Sequence, residues 1–242
     1  MLMGRAQWRG RAETVTRDLE GTVRTSSGAP IPAGELNLLA PSLPTKIVCV
    51  GRNYIEHAKE LGNTVPERPL IFLKPPSSVL DPGGAIVLPP DSHQVEYEGE
   101  IAVVMGRACK GLNAKDDPMP FVAGVTPLND VTARDLQKID GQWTRAKGFD
   151  TFCPFGPWIR PVTSFSGLVV HTYLNGKKVQ EGCSDDMAFP IADLVRYVSR
   201  VMTLLPGDLI ATGTPHGVGK LVAGDTVSVE LQGVLLENPV GA

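Results

Sequence analysis

The sequence predicts a mainly β fold with a few helices, an α+β class. The 242 residues include 26 glycines and 21 prolines, which cut the chain into many short elements. Most apolar runs are short and end at glycine or proline, as strands do. Only one segment carries a sustained helical period, so runs of strands outweigh any alternating βαβ pattern.

The elements follow in order. Residues 1–43 hold polar β-like stretches, Ala12-Glu13-Thr14-Val15 and Gly21-Thr22-Val23-Arg24, before the Gly/Pro-rich run Ala29-Pro30-Ile31-Pro32. They read as a small N-terminal β domain, an appendage with its boundary near Pro44, ahead of a main domain at 44–242. Ile47-Val48-Cys49-Val50 reads as a buried strand ending at Gly51, and 54–61 as a helix stopping at Gly62. Further strands are expected at 70–73, 85–88 and 95–105, and at 169–174 leading into an Asn175-Gly176 hairpin turn. Between 190 and 205, Ile191, Leu194, Val195, Val198, Val201, Met202 and Leu205 recur at helical spacing, with Pro190 suited to the first turn and Pro206-Gly207-Asp208 as the stop. Segments 209–211 and 226–231 complete the strands.

Composition excludes several classes. A formal net charge of −3 argues against a nucleic-acid surface, and the absence of a long apolar run argues against a membrane span. The start, MLMGRAQWRG, lacks the apolar stretch of a signal peptide, so a cytoplasmic protein is expected. Cys49, Cys109, Cys153 and Cys183 stand singly and read as small buried hydrophobes. No GxGxxG follows a strand, which removes the dinucleotide-binding reading.

Three segments could carry chemistry. In Val95-Glu96-Tyr97-Glu98-Gly99-Glu100, strand alternation would turn Glu96, Glu98 and Glu100 to one side, just before an apolar run. Like charges beside a core raise one another's pKa, a penalty that a divalent cation removes; hard oxygen ligands favour Mg²⁺, with Mn²⁺ or Ca²⁺ possible. Spacing alone favours the plainer reading, a solvated acidic face. Asp130, just past the apolar 121–125, could complete such a site or simply cap a helix. If a helix follows, Asp130, Arg134 and Gln137 would share a face, with Arg134 set to pair a substrate carboxylate and Gln137 to donate a hydrogen bond. On the 54–61 helix, His57 and Glu60 lie three apart; the pair suits an oriented general base or an ordinary surface contact.

These blocks together resemble the fumarylacetoacetate hydrolase family. The carriers are Gly51-Arg52-Asn53-Tyr54 with His57 and Glu60; Phe72-Leu73-Lys74-Pro75; Tyr97-Glu98-Gly99-Glu100; Asp130 with Thr132-Ala133-Arg134-Asp135 and Gln137; Trp143-Thr144-Arg145-Ala146-Lys147; and Gly213-Thr214-Pro215 with Gly217-Val218-Gly219. The resemblance runs from about Lys46 onward and implies a mixed β-roll and a homodimer. It implies Mg²⁺ on Glu98, Glu100 and Asp130, and a catalytic group of His57, Glu60 and Lys147. It implies that Arg52, Tyr54, Lys74, Arg134, Gln137 and Thr214 contact the substrate, and that 54–66 is a lid. Val50 stands where the large eukaryotic member carries a fourth acidic ligand, so this chain is similar to the smaller acylpyruvase-like and isomerase-like relatives. The expected substrate is a small 2-oxo or enolic carboxylic acid. The leading expectation is a C–C hydrolase or decarboxylase of acylpyruvate type. The alternative is an isomerase of 2-hydroxyhepta-2,4-diene-1,7-dioate in aromatic catabolism, and a third is an organic-acid binding protein with little turnover.

Overall fold

The computed structural model describes residues 1–60, 62 and 64–242. A central five-stranded sheet runs in the order Val122–Asn129, Gly99–Met105, Leu209–Ala211, Ile47–Gly51 and Leu70–Lys74. Leu209–Ala211 and Ile47–Gly51 pair in parallel and the other neighbours are antiparallel. Side chains alternate between two cores. Val48, Val50, Ile101, Val103 and Met105 face one, while Ile47, Cys49, Ala102 and Val104 face the other. A sheet buried on both faces needs near-continuous apolar strands, which explains the unbroken runs in this part of the sequence.

The first core is closed by a second five-stranded sheet and a helix. The sheet runs Lys177–Cys183, Val169–Leu174, Thr226–Leu231, Val234–Gly241 and Ile86–Val87. The helix, Ile191–Val201, buries Ile191, Leu194, Val195 and Val198 on one stripe. At the N-terminus, Leu2–Trp8 pairs antiparallel with Arg11–Arg17 on one side and with Trp158–Ile159 on the other. That sheet therefore takes a strand from far along the chain, and its core joins Ala6, Val15, Val23 and Ile31 to Trp158 and Val234.

The strands expected at 169–174, 209–211 and 226–231 form with those limits. Two expectations need correction. The helix stops at Val201 rather than at 205, because Leu204 exchanges both backbone hydrogen bonds with Cys109 at 2.9 Å and tertiary pairing overrides the helical period. The strand expected at 95–105 is two strands: Val95–Tyr97 belongs to a small sheet with Thr132–Ala133 and Gly219–Lys220, and Gly99–Met105 to the central sheet. Glu98 lies at the break. The helix expected at 54–61 spans Ile55–Glu60; its end at Leu61, and Asn63 within the lid segment, lie outside the described residues. No helix among the described residues is long and apolar enough to cross a membrane.

Candidate active site

The break between the two sheets gathers the acidic residues. The Asn129 side-chain oxygen accepts the Glu98 N–H at 2.9 Å, and the Glu98 carbonyl accepts the Asp130 N–H at 2.8 Å. Glu100 projects from the central sheet and accepts the Gly213 N–H at 2.8 Å. One carboxylate oxygen from each of Glu98, Glu100 and Asp130 lies within 4.8 Å of the others, and all three side chains are buried. Gly99, between the two glutamates, packs against the second sheet, where a Cβ would sit 1.9 Å from Thr172 Oγ1.

Cations pack around the cluster. Lys147 Nζ bridges Glu98 at 2.8 Å and Asp130 at 2.7 Å, while Lys74 Nζ donates to the other Asp130 oxygen at 2.5 Å. Arg134 pairs with Glu96 at 2.8 Å and with Glu98. Four buried carboxylates thus face three buried cations, leaving one negative charge uncompensated. Burial raises the Glu98 carboxyl, but Lys147 and Arg134 outweigh it and hold the group well below the ordinary range. Glu100 goes the other way: burial, then Asp130 and Glu98, push its carboxyl well above that range. Such an oxygen-only cluster with surplus negative charge fits a hard divalent cation. Burial also pushes the nearby Cys153 thiol up to about 12.

A small cleft opens over this cluster. Its walls include Arg52, His57, Phe72, Arg134, Gln137, Trp143, Lys147 and Thr214, with Val50 where a fourth acid could have stood. His57 is buried, and its Nδ1 lies 3.1 Å from Glu60, whose second oxygen accepts the Gly217 N–H at 3.0 Å. A carboxylate on Nδ1 fixes the tautomer with the Nε2 lone pair free for proton transfer.

The structure therefore brings Glu98, Glu100, Asp130, Lys147, His57, Arg52, Arg134, Gln137 and Thr214 to one cleft, with Glu60 behind His57. It also places or partners several residues in ways the sequence did not show. Lys74 lies beneath Asp130, away from the cleft wall, so it supports that carboxylate. The Tyr54 ring is also off the cleft, with a buried hydroxyl that meets no partner among the described residues. Arg134 and Gln137 do share a helix, Arg134–Asp140, but Asp130 precedes it and caps nothing. Arg134 is bound to Glu96, Glu98 and, at 2.7 Å, to Gln137, so its guanidinium is engaged by protein groups and the Gln137 carbonyl oxygen by Arg134. Thr214 commits its hydroxyl proton to the Gly99 carbonyl at 2.9 Å.

Sequence reasoning missed Gln180. Its carbonyl oxygen accepts the Gly99 N–H at 3.0 Å, and its amide donates to Thr214 Oγ1 at 2.9 Å and to the Pro215 carbonyl at 2.8 Å. It ties the acidic segment to the glycine turn. Nothing in its local sequence marks it, because both partners are distant in the chain.

A mainly β scaffold with a buried acid–base cluster at the floor of a small polar cleft has the form of an enzyme's site. Residues 46–241 match the family model for the fumarylacetoacetate hydrolase C-terminal domain, and the chain belongs to that family. Among solved structures it resembles a 5-carboxymethyl-2-hydroxymuconate delta-isomerase from Mycobacterium smegmatis, 43% identical over 100% of this chain and 98% of that one, with a TM-score of 0.92. It also resembles a 2-hydroxyhepta-2,4-diene-1,7-dioate isomerase from Mycobacterium marinum, 40% identical over 100% and 98%, with a TM-score of 0.89. A human mitochondrial oxaloacetate tautomerase is 42% identical over 87% of this chain and 71% of its own.

Proposed function

We propose that this enzyme isomerises 2-hydroxy-2,4-dienoic or 2-oxo-3-enoic diacids by proton transfer, without breaking a C–C bond. The observation that carries the reading is the agreement of two relatives, each similar across the whole chain, on isomerisation. It reverses the order expected from sequence, where hydrolysis or decarboxylation came first.

The site chemistry supports it. Mg²⁺ held by Glu98, Glu100 and Asp130 would supply a Lewis acid that polarises the substrate's 2-oxygen. Lys147, at the same carboxylates, adds positive charge where the enolate oxygen develops. His57 takes the enol O–H proton and returns a proton at C5, as the C2=C3 and C4=C5 double bonds become C2=O and C3=C4. Glu60 keeps the imidazole oriented. No water is consumed, so the cleft needs no site for a nucleophile. Keto–enol exchange of a shorter 2-oxo diacid is the same transfer with the proton delivered to C3. A homodimer belongs to this reading, and light scattering on the purified protein tests it.

The deciding experiment supplies 2-hydroxyhepta-2,4-diene-1,7-dioate with Mg²⁺ and follows ultraviolet absorbance with product analysis. The dienol band should give way to the enone, with deuterium entering at C5 in heavy water. Stoichiometric release of pyruvate or another shortened acid would establish cleavage and overturn the proposal.

A further inference from the structure

We propose that Arg52 is the specificity residue that reads the distal carboxylate of a dicarboxylic substrate, with Trp143 and Phe72 forming the bed for the chain between. The inference rests on the proposed handling of an enolic acid head at the Glu98, Glu100 and Asp130 end, and adds what the other end of the cleft selects.

Among the cleft's cations, Lys147 and Arg134 are already committed to buried carboxylates. Arg52 is not. Among the described residues its guanidinium makes neither an ion pair nor a hydrogen bond, yet it lines the cleft. Its backbone sits at φ 61°, the left-handed region that a long side chain adopts at a cost, a strain that points to a role for its placement. The side chain lies over Trp143, 5.9 Å from the ring centroid. Trp143 is fixed in turn: its ring would come within 2.9 Å of a Cβ at Gly51, and it meets Phe72 edge-on at 5.1 Å. Lys147 Nζ lies 5.1 Å from the Phe72 centroid. Neighbouring contacts thus link the cation and carboxylate cluster through two aromatic rings to the Arg52 guanidinium. That sequence of surfaces matches an acid head, a flat conjugated chain and an anionic tail. Arginine is suited to the tail because its fork binds a carboxylate through two hydrogen bonds.

The test compares 2-oxoheptanedioate with 2-oxohexanoate, which lacks the distal carboxylate, by calorimetric binding to the Mg²⁺-loaded protein. The diacid should bind the native protein more tightly by about 10-fold or more, the scale of one charge-assisted contact. Arg52→Asn, which tolerates the left-handed backbone, should erase that preference while leaving 2-oxohexanoate binding unchanged. With dienol substrates the same variant should raise KM for the diacid and spare kcat. A native protein that binds the two acids equally, or binds neither, overturns the inference, as does an Arg52→Asn variant that weakens both alike. Carboxylate discrimination without isomerisation would count against the proposed reaction and leave the assignment of Arg52 standing.

Discussion

At the scale of single residues, the site is a balance of buried charges. Glu100 is the acid of the cluster whose donor is a backbone N–H rather than a cation, and its neighbours push its carboxyl up. Glu100→Gln removes the carboxylate that a bound cation would ionise and keeps the shape. The variant should lose Mg²⁺-dependent turnover, and Mg²⁺ should no longer raise its Tm as it raises that of the native protein. A retained Mg²⁺-dependent Tm shift would defeat the metal assignment. Lys74 presents the opposite case, a fully buried ammonium on Asp130. Lys74→Met strands part of that carboxylate's charge, and chemical denaturation should show a loss of about 3 kcal/mol, as when one partner of a buried pair is deleted. A loss within about 0.5 kcal/mol, the range of an ordinary surface change, would show that Lys147 alone satisfies Asp130.

At the scale of elements, what matters is how short pieces hold one another. The Ile55–Glu60 helix has six residues, too few to be stable alone, and Glu60 anchors it by reaching both His57 and the glycine turn. Glu60→Gln removes the carboxylate that orients the imidazole. The expected result is a fall in kcat of about 100-fold, the lower end of a general-base contribution, with KM little changed. An unchanged kcat would assign Glu60 to packing alone. The same scale shows where local patterns were readable. Val169–Leu174 and Thr226–Leu231 have turn residues at their ends and one buried face, so their limits appear in the sequence. Position 98 does not: both flanks have strand character, and the chain changes sheets there because Thr132–Ala133 and Val122–Asn129 offer different partners.

At the scale of the whole molecule, Asp208 ties the entry of the family-matched region to the far end of the chain. Its carboxylate accepts the Thr45 N–H at 2.9 Å, the Thr45 hydroxyl at 2.7 Å and the Leu205 N–H at 2.7 Å, and pairs with Lys46. Burial opposes the charge, but Lys46, the Leu205 N–H and Thr45 hold the carboxyl below its ordinary 3.8. A carboxyl depressed by folding contributes stability that is complete above the ordinary value and is lost as pH falls through the folded one. Asp208→Asn should therefore be less stable at neutral pH and lose less of its stability on acidification below about pH 4. Parallel acid denaturation curves for the two proteins would remove Asp208 from the account.

The sequence by itself determined the β-rich class, through turn residues and short apolar runs, and the family, through ordered motif blocks whose resemblance implied the three convergent acids; spacing alone had favoured a solvated acidic face. The tertiary structure decided which charges cancel. Arg134, Lys74 and Thr214 carry the right chemistry for substrate contact, yet their partners, Glu96 and Glu98, Asp130, and Gly99, claim them first. Arg52 stays free for the same kind of reason, since no carboxylate among the described residues reaches it. Electrostatic pairing depends on distance through space, and separation along the chain does not encode it.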